Sequence, residues 1–172
     1  MGTIKTVAVF VLILLGGAPE DAWKKIENSS FSFSAPSSFT RTDARGIDSF
    51  VEEYVADGIR LSFDLGIYAN HFDGWPKDTK FEDVKVHGKA ARIGTVAHEF
   101  HKGFPYSTQI HIKLAGGVAL SMFAACKSEK EVALARKIFE TITFNATKPN
   151  DQSNVARTTE ALVITGTWGR SG

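Results

Sequence analysis

The sequence predicts an α+β fold, an antiparallel meander of about six strands with a C-terminal helix packed on one face. Three observations lead there. Ile59, Leu61, Phe63, Leu65 and Ile67 alternate with Arg60, Ser62, Asp64, Gly66 and Tyr68, the period of two that places successive side chains on opposite faces of a strand. The pairs Asp57-Gly58, His87-Gly88 and Gly116-Gly117 punctuate apolar runs in the way hairpin turns do. Ser128, followed three residues later by Glu131, has the form of a helix-capping box. It precedes Val132, Ala135, Phe139 and Ile142 at helical spacing, with Leu134 and Ile138 beside them.

The elements follow in order. Residues 19 to 30 are polar and read as a lead into the domain, with Trp23 and Ile26 packing on its edge. Phe31-Ser32-Phe33-Ser34 alternates and predicts a short strand that ends at Ala35-Pro36-Ser37-Ser38. Ile47 to Ala56 predicts the next strand, with Val51 and Val55 on one face and Phe50 and Tyr54 on the other. The 59–68 strand comes after Asp57-Gly58. Asn70 to Glu82 is rich in turn residues, including Asp73-Gly74-Trp75-Pro76, and reads as a loop. A hairpin follows with arms near Val84–Val86 and Lys89–His98. Tyr106 to Leu114 puts Thr108, Ile110, Ile112 and Leu114 on one side and Ser107, Gln109, His111 and Lys113 on the other. Val118 to Ala125 is the last long strand, and Thr143-Phe144 a short extension past the helix. The helix needs an apolar surface, and the faces of Leu61, Phe63 and Leu65 and of Ile110, Ile112 and Leu114 supply one.

Three segments organise the chain of 172 residues. Lys5, the uninterrupted apolar run Val7–Leu15 and the small residues Gly16-Gly17-Ala18 match a secretory signal peptide or an N-terminal anchor over residues 1–18. The run falls short of the roughly 20 apolar residues that a spanning helix needs. Residues 23–145 form a single α+β domain, and 146–172 a polar C-terminal tail with an apolar patch at Leu162-Val163-Ile164. The expected location is exported, periplasmic or extracellular, with membrane attachment only through an uncleaved N-terminal segment.

Composition excludes more than it assigns. A formal net charge of +1 gathers no polyanion, so nucleic acid is not an expected partner. One cysteine, Cys126, rules out an internal disulfide and a cysteine-based zinc site. It ends an apolar strand on the core side, where a thiol is inert. Neither a phosphate-binding loop nor a dinucleotide fingerprint occurs, and no cofactor is expected.

The run Phe31-Ser32-Phe33 then Pro36, the strand Leu61-Ser62-Phe63-Asp64-Leu65-Gly66-Ile67-Tyr68, the turn Val86-His87-Gly88-Lys89-Ala90-Ala91 and the final helix resemble uncharacterised bacterial exported proteins similar to the PsbP-like group. The resemblance covers about residues 31 to 144. It implies an antiparallel sheet flanked by helices and a non-catalytic accessory role, and it carries over no catalytic residue.

Among chemical motifs, His98-Glu99-Phe100-His101 is one residue short of the zinc-protease spacing and sits where a strand ends, so its two imidazoles share no helical face. His87, His98, His101 and His111 fall on neighbouring expected strands, yet scattered histidines are ordinary surface residues, and no metal site is assigned. The candidate site is a sheet face. Arg60, Ser62, Asp64 and Tyr68 share one side of their strand, and Ser107, Gln109, His111 and Lys113 one side of another. Opposite the helix they form a polar, solvated face, with Arg60, Asp64, Tyr68, Gln109 and His111 as candidate ligand-binding residues. Phe72 and Trp75 in the following loop are candidate partner anchors, or fold back over the core edge. The expected function is a non-catalytic exported binding or accessory domain for a protein or small polar ligand. The alternative is a hydrolase-type enzyme using Asp64 and His111, which requires those two side chains within hydrogen-bond reach.

Overall fold

The computed structural model describes residues 22–44 and 50–145. The signal or anchor at 1–18, the start of the 47–56 strand and the tail at 146–172 with its Leu162–Ile164 patch lie outside the described residues. Within them the fold is α+β: antiparallel sheets and one α-helix.

In chain order the strands are β1 (Trp23–Glu27), β2 (Phe31–Pro36), β3 (Thr40–Arg41), β4 (Phe50–Ala56), β5 (Ile59–Gly66), β6 (Lys80–Val86), β7 (Lys89–Val96), β8 (Tyr106–Lys113), β9 (Ala119–Cys126) and β10 (Thr143–Phe144). Helix α1 (Glu129–Glu140) lies between the last two. Two sheets form. One has seven strands in the order β3-β4-β5-β9-β8-β7-β6, and the other three in the order β1-β2-β10.

This corrects the expected six-stranded meander. The chain leaves β5 at mid-sheet, crosses to the far edge through residues 67–79, and meanders back from β6 to β9, which closes against β5. The polar lead-in is also corrected. Residues 23–27 are a strand, paired antiparallel with β2 from Trp23↔Pro36 to Glu27↔Ser32. Its side chains are almost all exposed, so no apolar alternation marks it. The first hairpin arm is longer than expected because the charged Lys80–Asp83 stretch, the outer edge of the sheet, also pairs with β7.

The inner face carries the core. Ile59, Leu61 and Phe63 of β5, Ile110 and Ile112 of β8, and Leu120, Met122 and Ala124 of β9 are buried, as alternation demands. Ile67, expected to continue this set, is exposed because β5 ends at Gly66. Burying each large side chain contributes about 1.5–3 kcal/mol before chain entropy is charged. Strand β2 lies over this face, with Phe31 and Phe33 edge-on to Phe63 at centroid distances of 4.9 and 6.2 Å. Helix α1 packs over β8, β9 and β2, burying Val132, Ala135, Ile138 and Phe139. Ser128 caps it: its hydroxyl accepts from the Lys130 N–H and donates to the Glu131 carboxylate.

Turn chemistry sets the hairpins. His87 and Gly88 both take positive φ (48° and 76°), the pairing required by the turn that best matches strand twist. Between β1 and β2 the Asn28 side chain accepts from the Ser30 and Phe31 N–H groups, a local Asx turn.

Candidate functional site

The site lies on the outer face of the seven-stranded sheet, opposite α1. Strand register aligns a row there: Val51 of β4, Asp64 of β5, Ser121 of β9, His111 of β8, Arg92 of β7 and Asp83 of β6. Gln109 sits two residues from His111 on the same strand and the same side.

The expected solvated face is the main correction. Ser107, Gln109, His111 and Ser121 are all buried, with His111 only 5% exposed. The cover is the segment after β5. The Asn70 carbonyl accepts from Gln109 Nε2 at 2.9 Å and from Ser121 Oγ at 2.5 Å. His111 Nδ1 stands 3.1 Å from the same carbonyl and 2.9 Å from Ser121 Oγ. Since the single hydroxyl proton of Ser121 goes to Asn70, Nδ1 carries the imidazole proton and donates to both oxygens. Burial, followed by the neighbouring His71 charge, lowers the pKa of His111 below the ordinary histidine value; the Asn70 hydrogen bond opposes this and Lys113 adds to it. His111 is therefore neutral at pH 7.

A second contact fixes the cover. Gly94 of β7 has no side chain, and the Phe72 ring occupies the space: a Cβ placed on Gly94 would stand 2.7 Å from a Phe72 ring carbon. Phe72 takes a positive φ of 62° to reach it, a conformation a bulky residue seldom adopts. Its ring packs edge-on against Trp75 and Phe81 at 5.2 and 5.1 Å. Phe72 is buried, so it is not an interface anchor; it folds back onto the middle of the outer face, not the core edge.

Trp75 is half-buried and extends this aromatic layer. It meets Phe100 at 5.2 Å and Phe123 at 6.3 Å. His98 packs on Phe100 at 4.6 Å and His101 on Phe123 at 5.7 Å. The two histidines belong to the 97–105 loop and not to a strand end, with His101 bridged to Phe104. Phe81 and Phe100 remain 51% and 38% exposed, so the layer presents an aromatic edge to solvent.

The other expected site residues do not converge. Arg60 is clamped by Glu53 through Nε (3.1 Å) and Nη2 (2.7 Å). It lies four residues from Asp64, about 13 Å along the strand. Tyr68 is 72% exposed and follows the end of β5, so it leaves the strand face altogether. Asp64 and His111 share the outer face, but Ser121 stands between them. Two strand spacings separate their backbones by about 9–10 Å. Asp64 Oδ1 is buried without a hydrogen-bond partner among the described residues. Sequence reasoning missed Ser121, Asn70, His71 and Gly94. Only Ser121 left a signal, as the polar residue breaking the apolar run of β9.

Two shallow depressions open elsewhere, one of about 320 Å³ at Arg41–Ala44 and one of about 430 Å³ lined by Lys80, Phe81, Glu82, Thr95 and Arg136. Neither reaches Asp64, Ser121 or His111. Among the described residues no three His, Cys, Asp or Glu side chains are grouped to hold a metal ion. None of their helices is long and apolar enough to cross a membrane.

No protein-family model and no curated protein matches the chain. Among solved structures it is similar to a crystal structure from Bacteroides thetaiotaomicron at 15% identity and a TM-score of 0.41, over 77% of this chain. The chain spans 56% of that protein's length.

Proposed function

We propose that the chain is a non-catalytic exported binding or accessory domain that engages its partner through the aromatic edge of the outer face. Export rests on the signal-like residues 1–18. The binding reading rests on one observation: three buried polar side chains of the outer face are spent on holding its cover, while aromatic rings beside them remain exposed. His111, Ser121 and Gln109 all bind one backbone carbonyl beneath the 70–75 segment. Trp75 ends that cover and Phe81 and Phe100 flank it, and half-exposed aromatic side chains of this kind are the favoured anchors of protein interfaces.

The hydrolase reading has a single observation in its favour, the 2.9 Å contact between Ser121 Oγ and His111 Nδ1. Against it, the hydroxyl already donates to Asn70, and no hydrogen bond joins Asp64 to His111. A general base must reach the proton it removes, and here that proton points away from the imidazole.

The test uses the full chain as bait on envelope extract, in parallel with Phe100→Ala and Trp75→Ala. Retention of a specific partner by the wild type, and its loss on both variants with the fold intact by circular dichroism, is the expected result. Ester or amide turnover by the purified protein that disappears in Ser121→Ala would instead establish the hydrolase.

A further inference from the structure

We propose that the Asn70–Trp75 segment is an acid-released strap, which uncovers the polar row of Asp64, Ser121 and His111 when the buried His111 imidazole beneath it takes up a second proton. The device goes beyond the binding reading above and shares only Trp75 with it.

The strap is fastened at two points. One is the Asn70 carbonyl with its donors on β8 and β9. The other is the Phe72 ring seated on Gly94. Between them His71 meets His111 edge-on, with ring centroids 4.5 Å apart. The strap's own backbone opposes the closed form, because the seated Phe72 holds a positive φ of 62°, a strained conformation for a bulky residue. Closure is therefore supplied by the fastenings and not by local preference.

Acid acts on the place where both fastenings meet. His111 is buried beneath the strap, whereas His71 is exposed. A cation on the His111 ring would place a charge beneath the strap, where water is excluded. The charged groups around His111 offer little relief. On its own strand stands Lys113, and across β7 stands Arg92, whose guanidinium is already bound to Asp83 of β6. Asp64 of β5 is the other carboxylate of the row, but it lies beyond Ser121. Asp73 of the strap itself is exposed to solvent. Opening lets water reach the His111 imidazolium, and so protonation and release favour one another. Burial and the proximity of His71 hold His111 neutral in the closed form, in the direction this coupling requires.

Trp75 at the end of the strap reports its position. Replacing Trp23 and Trp168 by Phe in the full chain leaves Trp75 as the only tryptophan. Acrylamide quenching is followed from about pH 8 to about pH 5, across the histidine range. Quenching is expected to rise below about pH 6.5 while far-UV circular dichroism stays constant. The rise should approach the level that Gly94→Ala shows at the alkaline end, since its added Cβ unseats Phe72 without any protonation. His111→Asn keeps an N–H where Nδ1 stands but does not titrate, and its quenching should stay flat and low. A flat wild-type curve overturns the strap. So does a transition that persists undiminished in His111→Asn, which assigns the signal to a group other than His111. Loss of circular dichroism in step with quenching also overturns it, because the event is then global unfolding.

Discussion

Glu52 shows how a single buried charge is managed in this chain. It is on the inner face of β4, 7% exposed, where a lone carboxylate is costly. One oxygen accepts from the Tyr54 hydroxyl at 2.7 Å, and the other pairs with the Arg41 guanidinium at 2.7 Å. Burial, then the Glu52 hydrogen bond and charge, drive the Tyr54 pKa far above the usual tyrosine range, so the phenol remains a donor at any ordinary pH. Tyr54→Phe keeps the ring packed on Phe33 but leaves that carboxylate oxygen unpaired. It should cost about 1–3 kcal/mol in urea denaturation. Arg41→Met should cost less, because the Arg41 side chain is 61% exposed and its pairing is screened by water. Equal losses in the two variants would show that the exposed arginine contributes as much as the phenol. Cys126 follows the same logic of burial: its thiol is pushed up to about 12, first by burial and then by the Glu131 charge, which keeps it unreactive.

At the scale of elements, α1 joins the two sheets. Its buried stripe packs over β8 and β9, while Thr141 just past its end donates to the Ile138 carbonyl and accepts from the Ser34 N–H of β2. Arg136 on its flank pairs with Glu82 of the edge strand β6. The helix therefore reaches from β2 to the far edge of the large sheet. Its start depends on the Ser128 cap. Ser128→Ala should destabilise the protein by about 1 kcal/mol, seen as a lower Tm, and Ser128→Asp should restore most of it. If Ser128→Ala melts with the wild type, the N–H groups of the first turn are satisfied by water and the cap contributes nothing. The edge strands follow a different rule. β6 carries Lys80, Glu82, Asp83 and Lys85, a charged border of the kind that discourages edge-to-edge pairing between chains.

Across the whole molecule, the two faces of the seven-stranded sheet are covered in unlike ways. The inner face has a continuous apolar core under β2 and α1. The outer face has a small polar and aromatic layer held by one carbonyl and one seated ring. The second is the weaker arrangement, and its dependence on acid has a definite sign. The pKa of His111 in the folded chain lies below the roughly 6.5 of an unfolded histidine. Above that value neither state binds the proton, and the contribution of His111 to stability is fully present. As the pH falls below about 6.5 the unfolded chain takes up the proton first, so stability is lost with acid. Urea denaturation at about pH 7.5 and about pH 5.5 should show a smaller acid loss for His111→Asn than for the wild type. An identical loss in both proteins would place the acid sensitivity elsewhere.

Local pattern alone was enough to say which residues face the core. Alternation from Ile59 to Leu65 and from Thr108 to Ile112 sorted the strand faces, and the Ser128–Glu131 box with its spaced apolar residues located the helix. Those signals are local, because strand and helix periods are properties of neighbouring residues. Long-range contacts set what lies across the outer face, that β5 pairs with β9, and that the exposed-looking strand β1 pairs at all. Asn70 meets Gln109, His111 and Ser121 at separations of 39, 41 and 51 residues. A period of two says that Gln109 and His111 point away from the core, yet it is silent on whether they meet water or another segment. That was settled by the crossing of residues 67–79 over the sheet, and by a glycine at position 94 that left room for a phenylalanine ring.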